Sequence, residues 1–520
     1  MPALAQGILQ YGIFSPTLGL REDMPSILLP QAMTPDCQNI HIRYGEVRRA
    51  KMRSSLLART PSPYNPILHY HWLEKSDGSA YLFAFTKDEI YKWNTATGAW
   101  DAHSDYGGGG TGQLSDTTEW STVTFNDQVI ATNNVDMVLI GDNATAFDKL
   151  DDASGLQVGA STYVTKAKWV DAFENYVLVG NVTEGGSACR QRVRWSDLGD
   201  ETNWQSGDAD YLDVPGPDIL TGTGHFRDQL MLFKTDSVYR MWLTAGDLIF
   251  NNAAVSTEIG CEAPQSIING KDGDLYFFAT DKSFRGMRAG EISRPIDPTV
   301  KGIPNDYMYK IRGLWVQEYD ELWWAIPDGA AATANNKIVC MGNGIWTVRD
   351  VAVEAFGTYK HQQNYTWDDL PYNSWDEWDW DSWDSVEGAA GFPTDIGSDS
   401  SGYTYALHQA ATDNGAAYTG YLVLTTDLAN RQALNRYKRL LNMRLYFKSE
   451  VSGTISVSLK RDHEADWQTV GTVSLIDTAE IIAKELPCDY RARHFLLKLS
   501  ASNKFAFLGV IFDFIYDGTD

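Results

Sequence analysis

A twelve-residue pattern recurs along this chain with the same alternation. Leu82-Phe83-Ala84-Phe85-Thr86-Lys87-Asp88-Glu89-Ile90-Tyr91-Lys92-Trp93 resembles Leu230-Met231-Leu232-Phe233-Lys234-Thr235-Asp236-Ser237-Val238-Tyr239-Arg240-Met241. A looser copy is Leu275-Tyr276-Phe277-Phe278-Ala279-Thr280-Asp281-Lys282-Ser283-Phe284-Arg285. Each is an apolar strand, a polar turn holding Asp, and a strand bearing an aromatic followed by Lys or Arg. That order spells a β-hairpin. The last two copies start 45 residues apart and the first two 148, about three such units. Repeats of roughly 40 to 50 residues, each a small antiparallel sheet, bury their faces against one another in a β-propeller. The expected fold is all-β: a β-propeller of six or seven blades, with an extended N-terminal arm and a C-terminal antiparallel β-sandwich. An array of β-sandwiches is the alternative.

Other runs fit this plan. Candidate strands lie near 123–131, 176–182, 322–326 and 337–348, punctuated by turn signals such as Ser76-Asp77-Gly78, Asp272-Gly273 and Asp328-Gly329. The propeller is assigned to 63–410. Over 411–520 the pattern changes to alternating strands at 455–459, 467–473, 495–499 and 505–516, which suit two packed antiparallel sheets. Residues 1–62 carry Pro16, Pro25, Pro30 and Pro35, which break up any long element. They are expected to form an arm rather than a packed unit.

One insertion within the propeller span stands apart, at 366–384. Thr366-Trp367-Asp368-Asp369-Leu370-Pro371-Tyr372-Asn373 is followed by Ser374-Trp375-Asp376-Glu377-Trp378-Asp379-Trp380-Asp381 and by Ser382-Trp383-Asp384, a period of eight. An even period returns equivalent side chains to one side of an extended chain, whereas a helix returns after seven or eleven residues and is interrupted by proline. Residues 366–387 hold eight acids and no base. Catalysis does not require such a run; a repeated surface does. Trp367, Trp375, Trp378, Trp380 and Trp383 are candidate interface residues.

The chain carries 68 acids against 43 Lys and Arg, a net charge of −25 over 520 residues. Gripping phosphate takes cations that release counterions, so free nucleic acid is excluded as a tightly held partner, though not as a polymer passing by. Two basic islands interrupt the acidic background. Arg43, Arg48, Arg49, Lys51, Arg53 and Arg59 form the first; Arg431, Arg436, Lys438, Arg439, Arg444 and Lys448 form the second, with no acid between them. Arg48, Arg49, Arg431, Arg436, Lys438, Arg439 and Arg444 are candidate contacts for acidic surface, including the octads of the same chain or of a neighbouring copy. The plain alternative is the solvated face of a strand pair.

The search for an active site comes back empty. Five scattered cysteines form neither a disulfide framework nor a zinc spacing, which suits assembly in a reducing cytoplasm. Residues 1–20 lack a signal-peptide pattern, and no run of about 18 apolar residues marks a membrane span. His69 and His71 share a strand face but have no third ligand at a supporting spacing. The glycine run 107–112 lacks the Lys-Ser/Thr of a phosphate loop, and Gly-x-Ser-x-Gly is absent. A glycosidase pair could hide among the octad acids, yet eight within 366–387 describe a surface better than a tuned pair. No enzyme, metal or cofactor is expected.

Taken in order, these pieces resemble a known family. Leu29-Pro30-Gln31-Ala32-Met33-Thr34-Pro35-Asp36-Cys37-Gln38-Asn39-Ile40-His41-Ile42-Arg43-Tyr44-Gly45-Glu46-Val47-Arg48 is similar to the opening of bacteriophage tail nozzle proteins. That family includes tail tubular protein B and the packaged-DNA stabilisation proteins of short-tailed phages. A closer resemblance runs from Phe226-Arg227-Asp228-Gln229-Leu230 through Ser237-Val238-Tyr239 and Gly260-Cys261-Glu262-Ala263-Pro264-Gln265-Ser266. It continues through Asp274-Leu275-Tyr276-Phe277-Phe278 to Ile292-Ser293-Arg294-Pro295-Ile296-Asp297. Trp195-Ser196-Asp197 with Asn203-Trp204 is similar too, as is the octad followed by a terminal sandwich. Arg53 departs from the family's Arg-Xaa-Gly ending, since Ser54-Ser55 follow it.

The resemblance implies a structural virion protein: a homo-oligomeric tail ring, commonly a hexamer, in the DNA ejection channel, assembled in the host cytoplasm. Its implied neighbours are the tail adaptor or portal-proximal proteins and other tail parts such as fibres or a needle. Six copies would carry on the order of 150 negative charges, a field that favours DNA sliding over sticking. The alternative is a receptor- or glycan-binding propeller with octad tryptophans as stacking platforms, and a glycosidase is a distant third.

Overall fold

The computed structural model describes residues 7–14, 18–30, 33–43, 45–106, 114–151, 153–244, 248–271, 273–296, 302–360, 393–426, 436–462 and 464–517. The octads, Arg431 and the glycine run lie outside them. Among the described residues regular structure is strand, apart from short 3-10 turns at Ser26–Leu28, Pro264–Ser266 and Asn305–Lys310.

The three sequence copies are hairpins. They close on Phe85↔Ile90, Phe233↔Val238 and Phe278↔Phe284. Each hairpin supplies the two middle strands of a four-stranded antiparallel sheet. Middle strands are covered on both faces, so they read as nearly continuous apolar runs. Phe83, Phe85, Leu232, Phe233, Phe277 and Phe278 are accordingly buried.

Two compact units divide the chain. Unit 2 comprises Ser55–Pro264 and Val353–Leu407. Its sheets follow one another: His69–Glu74 to Ala99–Ala102, Ser121–Phe125 to Asp148–Lys149, Leu156–Gly159 to Asp210–Asp213, and Leu220–Phe226 to Phe250–Ser256. A further sheet joins Ala355–Tyr359, Thr394–Ser398 and Thr404–Ala410, with Met52–Leu57 as its end strand. The core lies between chain-adjacent sheets. Phe83, Phe85 and Ile90 meet Val129 and Phe147; Phe125 and Ile130 meet Val170 and Val177; Leu178 and Trp195 meet Leu232 and Met241. Small consecutive sheets packed face on face make the expected propeller arrangement. Each such side chain contributes about 1.5–3 kcal/mol when fully buried. Trp120 donates its indole N–H to the Thr86 carbonyl at 2.7 Å, so its ring is buried without an orphaned donor.

The Trp195-Ser196-Asp197 and Asn203-Trp204 motif is a loop clasp in this unit. Asp197 accepts the backbone N–H of Asp208 and of Leu198 at 2.9 Å each, and the Asn203 amide at 3.1 Å. Those bonds, the backbone ones foremost, hold its carboxyl below the usual carboxylate range. Gly207 is required beside it: φ is +72°, and a Cβ there would sit 2.3 Å from Asp197 Oδ1.

Unit 1 comprises Met1–Ser54, Gln265–Ala352 and His408–Asp520. It holds two meander sheets, Ile268–Asn269 to Glu291–Ile292 and Arg312–Val316 to Ile345–Arg349, and a two-sheet sandwich. One sandwich sheet has the order Ile481–Ala492, Lys438–Lys448, Ala506–Tyr516, Glu46–Arg49, Ile40–Arg43, with Leu9–Phe14 also on Ala506–Tyr516. The other has the order Gln468–Ser474, Thr454–Arg461, Phe495–Ala501, Gly420–Thr426, Cys37–Gln38.

The four C-terminal strands expected are present as Thr454–Arg461, Gln468–Ser474, Phe495–Ala501 and Ala506–Tyr516, and Gly420–Thr426, Lys438–Lys448 and Ile481–Ala492 add to them. The N-terminal stretch is not a free arm: its strands belong to both sandwich sheets, and Val47 is fully buried opposite Phe507. The reason is backbone pairing. Sandwich edges present unpaired N–H and C=O groups, and the beginning of the chain supplies their partners. Proline spacing shows where an element breaks, not what its neighbours pair with.

Candidate functional site

The structure places Lys438, Arg439, Arg444 and Lys448 of the second basic island on the strand Lys438–Lys448, antiparallel to Ile481–Ala492. Arg439 grips Asp489 with both nitrogens, at 2.5 and 2.7 Å. Arg444 donates to Glu485, directly opposite, at 2.6 Å. Lys448 pairs with Glu46 at 2.5 Å, and Arg48 reaches the same carboxylate at 2.7 Å. Burial raises the Glu46 carboxyl, but these two cations outweigh it and leave the group below its ordinary value. Arg436 lies over the Tyr516 ring at 5.6 Å. Arg49 stacks on Tyr418 at 4.4 Å and donates to the carbonyls of Ala411 and Ser502.

On this strand the island forms the polar face of a strand pair, the plain alternative; the octads themselves lie outside the described residues. Arg439, Arg444 and Lys448 have acids of their own chain as partners, brought alongside by strand pairing. Lys438 departs furthest from a contact role: it is fully buried, with Nζ on the Arg493 carbonyl at 2.8 Å. Arg439→Glu is expected to leave the melting temperature nearly unchanged, because both it and Asp489 face solvent. A calorimetric scan beside the wild type checks this.

A different surface of the sandwich stands out. Val451, Ile476 and Ile481 are exposed apolar residues, Val451 at 97%. Backbone bonds from Ser449 to the Glu480 carbonyl and from Glu450 to the Leu475 carbonyl bring their loops together. Sequence reasoning missed this patch, since the three residues are neighbours only through the fold.

A buried polar network ties the strand Ile40–Arg43 to a meander sheet within unit 1. Glu321 accepts the Trp323 indole N–H at 2.8 Å and lies 3.0 Å from His41 Nε2 and 3.6 Å from Arg349 Nη2. The Arg349 guanidinium sits 4.0 Å over the Trp323 ring and donates to the Lys51 carbonyl at 3.0 Å. Tyr319 packs on both His41 and His408, whose Nδ1 is 3.3 Å from Glu318. Burial pushes the Glu321 carboxyl up, but the hydrogen bond from His41 and the charge of Arg349 outweigh it, so it stays below the usual range. One signal was available: Glu321 opens the otherwise apolar run Leu322 to Ile326. The network is held by mutual pairing, with the features of a structural joint.

His69 and His71 face threonines. His69 Nε2 is 2.7 Å and His71 Nδ1 2.8 Å from Thr122 Oγ1, and burial pushes His71 down to about 4. Among the described residues, no group of three His, Cys, Asp or Glu could hold a metal. No helix there is long and apolar enough to cross a membrane. Cys37, Cys261 and Cys340 are buried, and the Cys261 thiol donates to the Ala263 carbonyl at 3.2 Å.

Aromatic recesses are formed by described residues in each unit. In unit 2, a cavity of about 450 Å³ is walled by Trp72, Tyr81, Trp93 and Tyr359, with Lys92 and Asn94 at its polar side. In unit 1, adjoining cavities of about 290 and 230 Å³ share Asp274, Tyr276, Arg288, Met341 and Gly344.

No family model matches the chain, and no curated protein matches it. Solved structures with similarity include the extracellular domains of two hybrid two-component systems from B. thetaiotaomicron. The first has 10% identity and a TM-score of 0.35 over 59% of this chain and 43% of its own. The second has 8% identity and a TM-score of 0.30 over 60% of this chain and 41% of its own. PorZ, a surface component of the type-IX secretion system of Porphyromonas gingivalis, has 12% identity and a TM-score of 0.34 over 74% of this chain and 44% of its own. The matched region thus spans less than half the length of each of these proteins.

Proposed function

We propose that this chain is a non-enzymatic structural protein whose copies form a ring, commonly of six, in a bacteriophage tail, through which packaged DNA is conducted. The observation that carries this reading is how its charge is spent. The net charge is −25, and Arg439, Arg444, Lys448, Arg48 and Arg53 are countered by acids of their own chain. Cations already countered offer little to phosphate, and an acidic conduit repels DNA instead of holding it. The sequence resemblance to tail nozzle proteins supplies the setting: a tail axis, with adaptor or portal-proximal proteins as neighbours.

Contacts between copies need apolar surface, and the patch of Val451, Ile476 and Ile481 is suited to that role. Two-dimensional class averaging of the purified protein by electron microscopy tests the reading. Closed rings with a central channel are expected; monomers alone, at concentrations where tail proteins assemble, would overturn it. The double variant Val451→Glu, Ile476→Glu is expected to abolish rings while leaving the melting temperature close to wild type. Light scattering and calorimetry on the same samples check both halves.

A further inference from the structure

The groove of unit 1 lies between its two meander sheets, and ladder register explains its lining. Residues directly opposite each other in an antiparallel ladder share a face. Trp315, Leu322, Met341 and Trp346 are successive opposite partners, one from each of four strands, and so form a single row. The other sheet sets Tyr276 opposite Gly286. A Cβ at Gly270 or Gly286 would come within 3.0 or 3.1 Å of the Tyr276 ring, so this aromatic lies against bare backbone. Trp346 is backed by Trp324 and Phe284, with ring centroids 5.9 and 5.5 Å away. The rings are thus placed by the sheets and not by a loop.

The polar groups of the groove come in countered pairs. Arg288 Nε meets Asp274 at 2.6 Å, and Lys271 Nζ lies 3.6 Å from Asp320. Asn343 adds an amide to the same wall. The groove therefore presents donors and acceptors around aromatic faces with no net charge from these pairs. An anion would find both cations already countered, and a cation would find both acids countered. A hydrocarbon would strip water from four charged groups without replacing their hydrogen bonds. A neutral sugar answers all of these features: its C–H faces lie on rings, while its hydroxyls both donate and accept.

We propose that this groove binds a neutral, hexose-based oligosaccharide. Trp315 and Tyr276 contact sugar faces, and Arg288, Asp274, Asp320 and Asn343 hold hydroxyls. No octad tryptophan is among these lining residues, and the binding does not depend on ring assembly.

Calorimetric titration of the full-length chain with maltotriose, cellotriose, chitotriose and lactose tests it, with sialyllactose and inorganic phosphate as charged probes. Saturable binding of at least one neutral sugar is expected, weakened on the order of tenfold by Arg288→Ala and by Trp315→Ala. Trp93→Ala, in the recess of unit 2, is expected to leave that affinity unchanged. Arg288 is 75% exposed, so its replacement leaves the fold intact even if Trp315→Ala does not. The proposal fails if none of the neutral sugars saturates, if only the charged probes bind, or if Arg288→Ala leaves the affinity unmoved.

Discussion

Glu321→Ala is expected to destabilise the protein by about 3–5 kcal/mol, the cost of leaving a buried charge without its partner. The stranded group is Arg349, whose side chain is 2% exposed and whose guanidinium faces Glu321. Two further losses add to it: His41 loses the carboxylate 3.0 Å away, and the Trp323 indole N–H loses its acceptor. Urea unfolding at neutral pH, followed by tryptophan fluorescence, measures the difference.

The pH dependence has a definite sign. The Glu321 carboxyl is held below its ordinary value in the folded protein, despite burial, by His41 and Arg349. Its contribution is therefore fully present above the unfolded carboxylate pKa of about 4.3 and is lost as the pH falls through the lower folded value. Glu321→Gln keeps the shape and removes the titration. Its deficit relative to wild type is expected to be largest near neutrality and to shrink as the pH drops below about 4. A deficit that stays constant across that range would show that the carboxylate charge is not what stabilises the joint.

Lys438→Glu is expected to prevent the sandwich of unit 1 from folding. Lys438 is fully buried, and its Nζ donates to the Arg493 carbonyl at 2.8 Å. Reversal would set a carboxylate against that carbonyl oxygen in a region closed to water, where each unpaired ion costs several kcal/mol. Lys438→Met keeps the aliphatic stem and gives up the hydrogen bond, so a smaller loss of about 1–3 kcal/mol is expected. Soluble yield and protection from proteolysis between 436 and 517 distinguish the two. The neighbouring Arg439 is exposed, so its reversal carries no such cost.

Local pattern was enough for the hairpins. Leu82 to Trp93, Leu230 to Met241 and Leu275 to Arg285 each carry strand, turn and strand within a dozen residues, and such short-range closure leaves its mark in sequence. Their spacing also sufficed for small repeated sheets, since a hairpin with two apolar faces must be covered by its neighbours. Four of the terminal strands were legible for the same reason, whereas Gly420–Thr426, Lys438–Lys448 and Ile481–Ala492 were not.

Pairing between distant residues was not. Nothing local tells Val47 that it will lie opposite Phe507, or Leu9 that it will lie opposite Phe514. A proline-broken stretch was therefore read as an arm although it completes two sheets. The basic island failed in the same way: Glu485 and Asp489 follow the Lys438–Lys448 strand only after two strands of the other sheet. A run without acids in sequence thus became a run of ion pairs in space. The groove of unit 1 shows the division most plainly. Tyr276 and Trp346 are ordinary strand aromatics in sequence, and only the register of each ladder and the packing of the two sheets bring them to one groove. Strand and turn are decided over a few residues by side-chain alternation. Partnership, burial of charge and the lining of a site are decided by long-range pairing, which alternation does not encode.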